Sequence, residues 1–164
     1  MRIFNPHYGA AKLTPRQILR DPVLFCAFGF GSGLIKFMPG TWGALAGVPL
    51  YLLLANLPAY AYLILTLVAF YLGVYLCGQA AAKLQSADHG GIVWDEIVGL
   101  LITMYGLPLE SETLLAGFAA FRLFDILKPW PINWLDRNIK GGLGVMLDDA
   151  LAGVFAALLL RLWF

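Results

Sequence analysis

Charged residues are scarce in this sequence. Only 13% of its 164 residues are Asp, Glu, Lys or Arg, whereas 60% are hydrophobic. A soluble globular domain is typically about 25% charged and about 45–50% apolar. The net charge of +1 provides no broad field to attract nucleic acid, so we expect no nucleic-acid partner. The composition instead favours a protein whose surroundings are partly lipid.

Cysteine and histidine are also sparse, which argues against a disulfide framework or a zinc site. Cys26 and Cys77 lie in apolar stretches and form no CxxC pair, so we interpret them as small buried hydrophobic residues. His7 and His89 are isolated from any spacing typical of metal ligands. A metal site in this chain would therefore depend on oxygen ligands.

The first 22 residues lack the apolar core of a signal peptide. They contain four basic residues: Arg2, Lys12, Arg16 and Arg20. We predict that residues 1–22 form a cytoplasmic amphipathic arm lying near the bilayer surface. The remaining length has room for one core only, so we predict a single membrane-embedded domain over residues 23–164.

One uncharged apolar run, residues 44–77, is too long for a single membrane span of about 20 residues. Asn56-Leu57-Pro58 interrupts it, and the pattern predicts helices over 44–56 and 59–79.

Three shorter apolar segments follow, separated by polar loops over 80–94 and 128–144. They predict a hairpin of helices over 95–107 and 114–127, and a last helix over 145–163. The predicted fold is all-α, a small integral-membrane helical bundle with several transmembrane or partly inserted helices.

Basic residues predict the orientation of this bundle. They concentrate in the arm 1–22 and in the loop 128–144, and short loops rich in Lys and Arg tend to stay in the cytoplasm. We therefore predict a multi-pass membrane protein with both basic segments on the cytoplasmic side. In this topology its acidic residues lie near the cytoplasmic face.

Five acids stand in apolar contexts, in the stretches VWDEIVG, RLFDILK and MLDDALAG. They are Asp95, Glu96, Asp125, Asp148 and Asp149. An ionised carboxylate at membrane depth costs several kcal/mol unless it is paired or binds a cation. Each pair of adjacent acids could instead complement the dipole at the start of a predicted helix. Taken together, however, the five need counter-charge, which nearby basic residues and a divalent cation would supply.

The neighbours of these acids allow two interpretations. Gly99 and Gly153 each follow an acid by one helical turn, which suits either helix packing or room for a substrate. Arg122, Asp125 and Lys128 share one helix face, as an ion pair or as groups that bind an anionic oxygen.

Carboxylates favour Mg²⁺, and with Arg and Lys they are typical of phosphoryl chemistry. The stretches GFGSG (29–33) and PGT (39–41) offer backbone N–H groups for phosphate, although such stretches are more often turns or packing features.

The blocks GFGSGL, PGTWGAL, HGGIVWDEIVG, FRLFDILKPWPINWLDRN and GGLGVMLDDALAG, in this order, resemble the phosphatidylglycerophosphatase A family over roughly residues 28–153. The family comprises Mg²⁺-dependent membrane phosphatases that hydrolyse phosphatidylglycerophosphate to phosphatidylglycerol and phosphate. The resemblance therefore implies that residues 23–164 form a catalytic domain in the bacterial cytoplasmic (inner) membrane. It also implies a phospholipid substrate in the cytoplasmic leaflet. One departure is Ile35-Lys36, where many members have Ser-Pro, and it affects only the local loop.

The resemblance also implies residue roles. The catalytic set is Asp95, Glu96, Asp125, Lys128, Asp148 and Asp149. The expected metal ligands are Asp95, Glu96, Asp125 and Asp149, and the expected substrate-binding residues are Ser32, Thr41, Arg122 and Arg137. Attack on the phosphorus by an activated water is favoured over a covalent aspartyl-phosphate, which the sequence leaves open.

Rival functions make different demands on the sequence. Three motifs of other lipid-phosphate enzymes, PSGH, DxDx[TV] and DGxxAR, are absent. The main alternative is a small cation transporter or channel, because intramembrane acids also mark ion pathways. That alternative predicts acids near the bilayer centre and has no use for Arg122, Lys128 and Arg137.

Overall fold

The computed structural model describes residues 13–86 and 89–163, and within these ranges it is helical without strands. The all-α prediction is confirmed for the described residues. His7 and most of the predicted arm lie outside them. The elements are α1 (Pro15–Arg20), α2 (Pro22–Ala27), a 3₁₀ segment (Gly29–Leu34), α3 (Pro39–Leu54), α4 (Ala59–Leu84), α5 (Trp94–Met104), α6 (Ser111–Leu127), α7 (Ile132–Asn138) and α8 (Gly141–Leu160).

The predicted helix boundaries were wrong at several ends. α3 begins at Pro39 rather than at residue 44, because proline suits the first turn of a helix, where its missing N–H needs no partner. α4 continues past residue 79 to Leu84 and stops at Gln85, which adopts a left-handed conformation with φ 51°. The segment 128–144, predicted as a loop, contains α7 and the first turn of α8.

The glycines at the start of α8 explain that last error. Gly141, Gly142 and Gly144 look like helix breakers in the sequence, but the helix runs through them. A Cβ atom on Gly142 would collide with the carbonyl oxygen of Val74 in α4. Close packing between α4 and α8 therefore requires glycine here, and it overrides the low helix propensity of that residue.

α5 and α8 form the centre of the bundle. α5 packs against α3, α4, α6 and α8, whereas α8 packs against α4, α5, α6 and α7. The two central helices cross closely, since a Cβ on Gly153 of α8 would lie 2.5 Å from the carbonyl oxygen of Gly99 in α5. Of the two interpretations of these glycines, the structure favours helix packing.

α3 approaches α5 through glycines as well. Gly40, Gly43 and Gly47 are buried on one face of α3, and Cβ atoms on Gly43 and Gly47 would meet Val93 and Ile97 respectively. Small residues at this spacing let two helices approach through their backbones. As a result, the start of α3 lies against the start of α5, where the acids Asp95 and Glu96 are found.

The outer surface of the bundle is strongly apolar. α4 and α8, with 26 and 20 residues, are long and apolar enough to cross a membrane by length and composition. α4 exposes a broad row of large apolar side chains: Leu63, Ile64, Leu65, Leu67, Val68, Tyr71, Leu72 and Tyr75. So much exposed apolar surface is unusual for a soluble monomer. A small membrane bundle is therefore plausible.

The N-terminal helices are tied to this bundle. Asp21 caps α2 by accepting hydrogen bonds from the backbone N–H groups of Val23 and Leu24, at 3.0 and 3.2 Å. Its carboxylate also pairs with Lys83 at the end of α4, and this hydrogen bond lowers the pKa of Asp21. Ile18 is buried in the same core as Leu24. The predicted boundary between arm and domain stays a prediction.

Candidate functional site

The five predicted acids, from three helices, meet at one cavity of about 330 Å³. Asp95 and Glu96 come from the first turn of α5, Asp125 from near the end of α6, and Asp148 and Asp149 from α8. The full lining is His89, Gly90, Ile92, Asp95, Glu96, Asp125, Lys128, Asp136, Arg137, Ile139, Lys140, Gly141, Gly144, Val145, Asp148 and Asp149. The structure therefore brings all five predicted acids together, with Lys128 and Arg137.

Asp148 and Asp149 do not lie in the first turn of their helix, as the sequence suggested. α8 begins at Gly141, so these acids sit seven and eight residues further on, and they are only 5% and 3% exposed. The field of a helix terminus falls off within about one turn. Stabilisation by the helix dipole therefore does not account for these two acids, and another source of positive charge is required.

Three of the acids form a compact group. Asp95, Glu96 and Asp149 each offer a carboxylate oxygen, and these oxygens lie within 4.8 Å of one another. The close crossing of Gly99 over Gly153, one turn beyond Glu96 and Asp149, holds the two helices at this spacing. Oxygens on opposite sides of a divalent cation are about 4–5 Å apart, since Mg²⁺ and Ca²⁺ bind oxygen at about 2.1 and 2.4 Å.

Arg122 holds the fourth acid. Its Nη1 atom donates to Asp125 Oδ2 at 2.5 Å and lies 4.0 Å from Glu96 Oε1. A Cβ on Gly40 would collide with that Glu96 oxygen and with the Arg122 guanidinium. Arg122 therefore stands behind the acids, between α3 and α6, and it does not line the cavity itself. Asp125, an expected metal ligand, is engaged by Arg122 and lies outside the compact group of three.

Lys128 links α6, α7 and α8 at the cavity. Its Nζ atom lies 2.5 Å from Asp148 Oδ2 and 3.1 Å from Asp136 Oδ1. Burial alone would lower the pKa of Lys128, but the hydrogen bonds and negative charges of Asp148 and Asp136 together outweigh it and raise the pKa, so the ammonium stays charged. The residue ends α6 in a left-handed conformation with φ 41°, and such strain is often found at functional sites.

Several buried oxygens in the cluster have no partner. Asp95 Oδ1, Glu96 Oε2, Asp148 Oδ1 and Asp149 Oδ2 are all buried without a hydrogen bond. Buried polar atoms left unpaired cost free energy, and carboxylate oxygens cost most. Each of these atoms remains free to bind a ligand.

The charges around the cavity also favour the binding of a cation. Six carboxylates line the cavity, namely Asp95, Glu96, Asp125, Asp136, Asp148 and Asp149. Four cations face them, namely Lys128, Arg137 and Lys140 on the lining and Arg122 behind it. This leaves two formal negative charges, which one divalent cation would neutralise. The residues therefore fit a hard cation bound by oxygen, of which Mg²⁺ and Ca²⁺ are the common examples.

Ser32 and Thr41, predicted to bind substrate, do not line this cavity. Ser32 Oγ lies 3.5 Å from the carbonyl oxygen of Phe28. The N–H groups of Gly31 and Gly33 both donate to that same carbonyl at 3.0 Å, so they are not free to bind phosphate. Thr41 Oγ1 is buried without a partner near the start of α3. Substrate binding by these two side chains stays a prediction.

The glycine-rich 3₁₀ segment has a supporting position instead. A Cβ on Gly33 would collide with the carbonyl oxygen of Gly91, and the N–H of Val93 donates to the carbonyl of Ala27 at 2.9 Å. Gly29, Phe30 and Gly31 all have positive φ, between 55° and 98°. The two glycines adopt such angles without strain, whereas Phe30 does so at a steric cost. The segment thus packs behind residues 89–93 and sets where α5 begins.

Three polar lining residues, His89, Asp136 and Lys140, were not among the predicted site residues. His89 borders the cavity, and its Nδ1 accepts the N–H of Gly91 at 3.1 Å. Asp136 binds Lys128, and Lys140 donates to the carbonyl of Asp136 at 3.0 Å. His89 and Asp136 lie in blocks that carried the family resemblance, whereas Lys140 lies between two of these blocks. An isolated residue in a polar loop gave no further signal. The folding of 132–138 into α7 is what turns Asp136, Arg137 and Lys140 towards the acids.

Comparison with known proteins gives a consistent result. A family model described as "Phosphatidylglycerophosphatase A" matches residues 25–164. The chain is 44% identical to the protein of that name from Escherichia coli over 158 residues, which cover 96% of this chain and 91% of that protein. It is 48% identical to the one from Haemophilus influenzae over 142 residues, covering 85% of this chain and 87% of that protein.

A third relative carries a different name. It is a "Putative phosphatidylinositol-3-phosphatase" from Bacteroides thetaiotaomicron, 40% identical over 146 residues, which cover 85% of this chain and 91% of that protein. No solved structure matches this chain significantly.

Proposed function

The chain belongs to the phosphatidylglycerophosphatase A family, and on that premise we propose that it hydrolyses phosphatidylglycerophosphate to phosphatidylglycerol and inorganic phosphate. The observation that carries this proposal is the cavity in which unpartnered carboxylate oxygens from α5 and α8 face the ammonium of Lys128. Such a site can bind a phosphate monoester through a cation and neutralise the charge that develops during its cleavage.

The residues divide this work in the proposal. Asp95, Glu96 and Asp149 would hold a divalent cation, with Mg²⁺ as the expected one. A cation bound there supplies Lewis-acid polarisation of the phosphoryl oxygens. Lys128 sits at the edge of the group and supplies fixed positive charge beside the phosphate. Asp148 orients Lys128, and this role explains why one oxygen of Asp148 is engaged while the other is free.

Arg122 would act on the carboxylates rather than on the substrate. It binds Asp125 and approaches Glu96, so it fixes the orientation of both carboxylates from behind. This arrangement disfavours the alternative of a cation transporter. A conducting path needs acids that release their ion readily, whereas here Arg122 and Lys128 occupy the same cluster and compete with a mobile cation.

Chelation tests the metal. We expect the purified protein in neutral detergent to release phosphate from phosphatidylglycerophosphate when Mg²⁺ is present. The rate of release should fall to background in excess EDTA and should recover when Mg²⁺ exceeds the chelator. The physical reason is that two uncompensated carboxylate charges would repel the phosphate. Free phosphate is measured over time. Undiminished release in EDTA would contradict a metal-dependent site.

The third relative defines a competing substrate. Phosphatidylinositol 3-phosphate, like phosphatidylglycerophosphate, carries a phosphomonoester on a head group that is joined to diacylglycerol by a phosphodiester. The same phosphate-release assay on both lipids, in matched micelles, discriminates between them. Faster phosphate release from phosphatidylinositol 3-phosphate would identify that lipid as the preferred substrate instead.

The proposed location is the bacterial cytoplasmic membrane, with the cavity facing the cytoplasm and the substrate in the cytoplasmic leaflet. The distribution of basic residues supports this orientation. At the cavity end of the bundle lie Arg16, Arg20, Lys36, Lys83, Lys128, Arg137 and Lys140, whereas Arg161 lies at the other end, beside Tyr105. Cytoplasmic loops of membrane proteins carry this excess of Lys and Arg.

Cysteine labelling tests the orientation. Lys140→Cys and Glu112→Cys place one thiol at each end of the bundle, in a background where Cys26 and Cys77 are replaced by alanine. A membrane-impermeant maleimide added to intact spheroplasts is expected to label the variant at position 112 at once. It should label position 140 only after permeabilisation. The reverse order would invert the proposed topology.

A further inference from the structure

The cations of the cavity fall into two sets that differ in burial and in partners. Lys128 is partly buried, with 30% of its side chain exposed, and is bound to two carboxylates. Arg137 and Lys140 are exposed and lie at the end of α7 and just before α8. Both sets border the same space. The cavity thus has an inner cation beside the acids and two outer cations at its rim.

The outer cations are free to bind an anion. Asp136, their nearest acid in sequence, gives its carboxylate to Lys128. Lys140 uses one N–H on the backbone carbonyl of Asp136, which leaves its charge uncompensated. Among residues 13–86 and 89–163, neither Arg137 nor Lys140 forms an ion pair with a carboxylate.

The substrate of the proposed function carries a matching pair of charges. Its terminal phosphomonoester is the group to be cleaved, and one glycerol unit away a phosphodiester joins the head group to diacylglycerol. If the monoester lies against Asp149 and Lys128, the diester lies further out along the same cavity. Basic side chains at a rim provide charge-assisted hydrogen bonds for such a group.

We propose that Arg137 and Lys140 form a second anion site, which binds the phosphodiester and selects lipids that carry both a phosphodiester and a terminal phosphomonoester. This inference rests on the proposed function and adds a selectivity device to it. Arg137 is suited to the role because its planar fork can hold both free diester oxygens. Lys140 adds a compact charge and is held in place by its bond to Asp136.

The surface beside the rim is consistent with this direction of binding. Trp130, Pro131, Trp134 and Leu135 line an apolar groove on the same segment, between Lys128 and Lys140. Trp130 and Trp134 are 77% and 52% exposed. Tryptophan is enriched where a protein meets the membrane interface, which is the level at which the phosphodiester of a bilayer lipid lies.

The test compares substrates with and without the diester. Phosphatidate with the same acyl chains has a phosphomonoester directly on diacylglycerol and lacks the phosphodiester. In neutral mixed micelles, Arg137→Gln combined with Lys140→Gln is expected to lower kcat/KM for phosphatidylglycerophosphate about 10- to 100-fold, chiefly through KM. The kcat/KM for phosphatidate should change less than about twofold, so the preference between the two lipids collapses.

Inhibition gives a second readout that does not depend on turnover of phosphatidate. Phosphatidylglycerol has the diester and no monoester, so its inhibition constant should rise about 10-fold in the double variant. Inhibition by inorganic phosphate, which occupies the inner site only, should be unchanged. Arg20→Gln, an exposed cation outside the cavity, is the matched control for loss of surface charge and should alter neither inhibitor.

The outcomes are separable. If the wild type releases no phosphate from phosphatidylglycerophosphate, the proposed function fails. If the wild type is active and the double variant loses the same factor on both lipids, Arg137 and Lys140 only attract anionic lipid generally, and the second site is overturned. Unchanged kinetics and unchanged inhibition by phosphatidylglycerol would overturn it equally.

Discussion

Asp149→Asn is expected to lower kcat for phosphate release by about 10³-fold or more while leaving the protein folded. The side chain is 3% exposed and lies in the group with Asp95 and Glu96. The amide of asparagine has nearly the same shape as the carboxylate it replaces, but it lacks the negative charge that binds a divalent cation. Losing several kcal/mol of electrostatic stabilisation in the transition state corresponds to this factor, at about 1.4 kcal/mol for each tenfold change.

Stability separates this effect from misfolding. Asp149 is surrounded by other carboxylates and has an unpartnered oxygen, so a neutral amide relieves repulsion and the metal-free variant should melt no lower than the wild type. Mg²⁺ should raise the Tm of the wild type by mass action and should fail to raise that of the variant.

Glu112→Gln, an exposed acid in the first turn of α6, is the matched control and should keep full activity. If the Asp149→Asn protein kept wild-type activity, the proposed role of Asp149 in the site would be wrong.

Gly153→Ala should damage activity without touching a charged group. The added Cβ would stand 2.5 Å from the carbonyl oxygen of Gly99 and 3.2 Å from Ile102, so α8 must move away from α5. Overpacking of this kind typically costs about 1–3 kcal/mol. The movement separates Asp149 from Glu96, and a misplacement of about 1 Å can cost about 10²-fold in rate. We expect a lower Tm together with about a 10²-fold loss of kcat.

Gly78→Ala provides the matched control. Gly78 lies in α4 and faces α8 at Gly142, but a Cβ there would be 3.7 Å from the nearest atom, an ordinary contact. Alanine is favoured over glycine within a helix by about 1 kcal/mol, so this variant should melt at or above the wild-type temperature with unchanged kcat. If Gly153→Ala behaved in the same way, the close crossing would not set the spacing of the acids.

Much of the site was predictable because carboxylates in apolar segments are chemically conspicuous. Asp95, Glu96, Asp125, Asp148 and Asp149 stood out by local context alone, and the structure brings them to one cavity. That they would converge could be predicted because a buried charge is stable only when it is paired or binds a cation. The all-helical class followed from the long apolar runs and from the breaks between them.

The rest depended on contacts between distant segments. The glycines that open α8 looked like a loop until the backbone of Val74 was seen beside Gly142, and no local pattern records that approach. Because the start of α8 was misplaced, Asp148 and Asp149 were assigned to a helix terminus. Arg137 was an expected substrate-binding residue, but its place beside Lys140 at the rim was equally hidden, since it depends on α7 folding against α8.

The shortness of α5 bears on how the enzyme is made. With 11 residues it rises only about 16 Å, roughly half the hydrocarbon thickness of a bilayer, and it opens with two acids, so it cannot insert as an independent span. Asp149, which forms the compact group with these two acids, lies on α8, the final described helix. During synthesis, α5 with Asp95 and Glu96 leaves the ribosome before α8 does. The acidic cluster is incomplete until α8 has been synthesised, and a nascent chain that ends before α8 lacks Asp148 and Asp149.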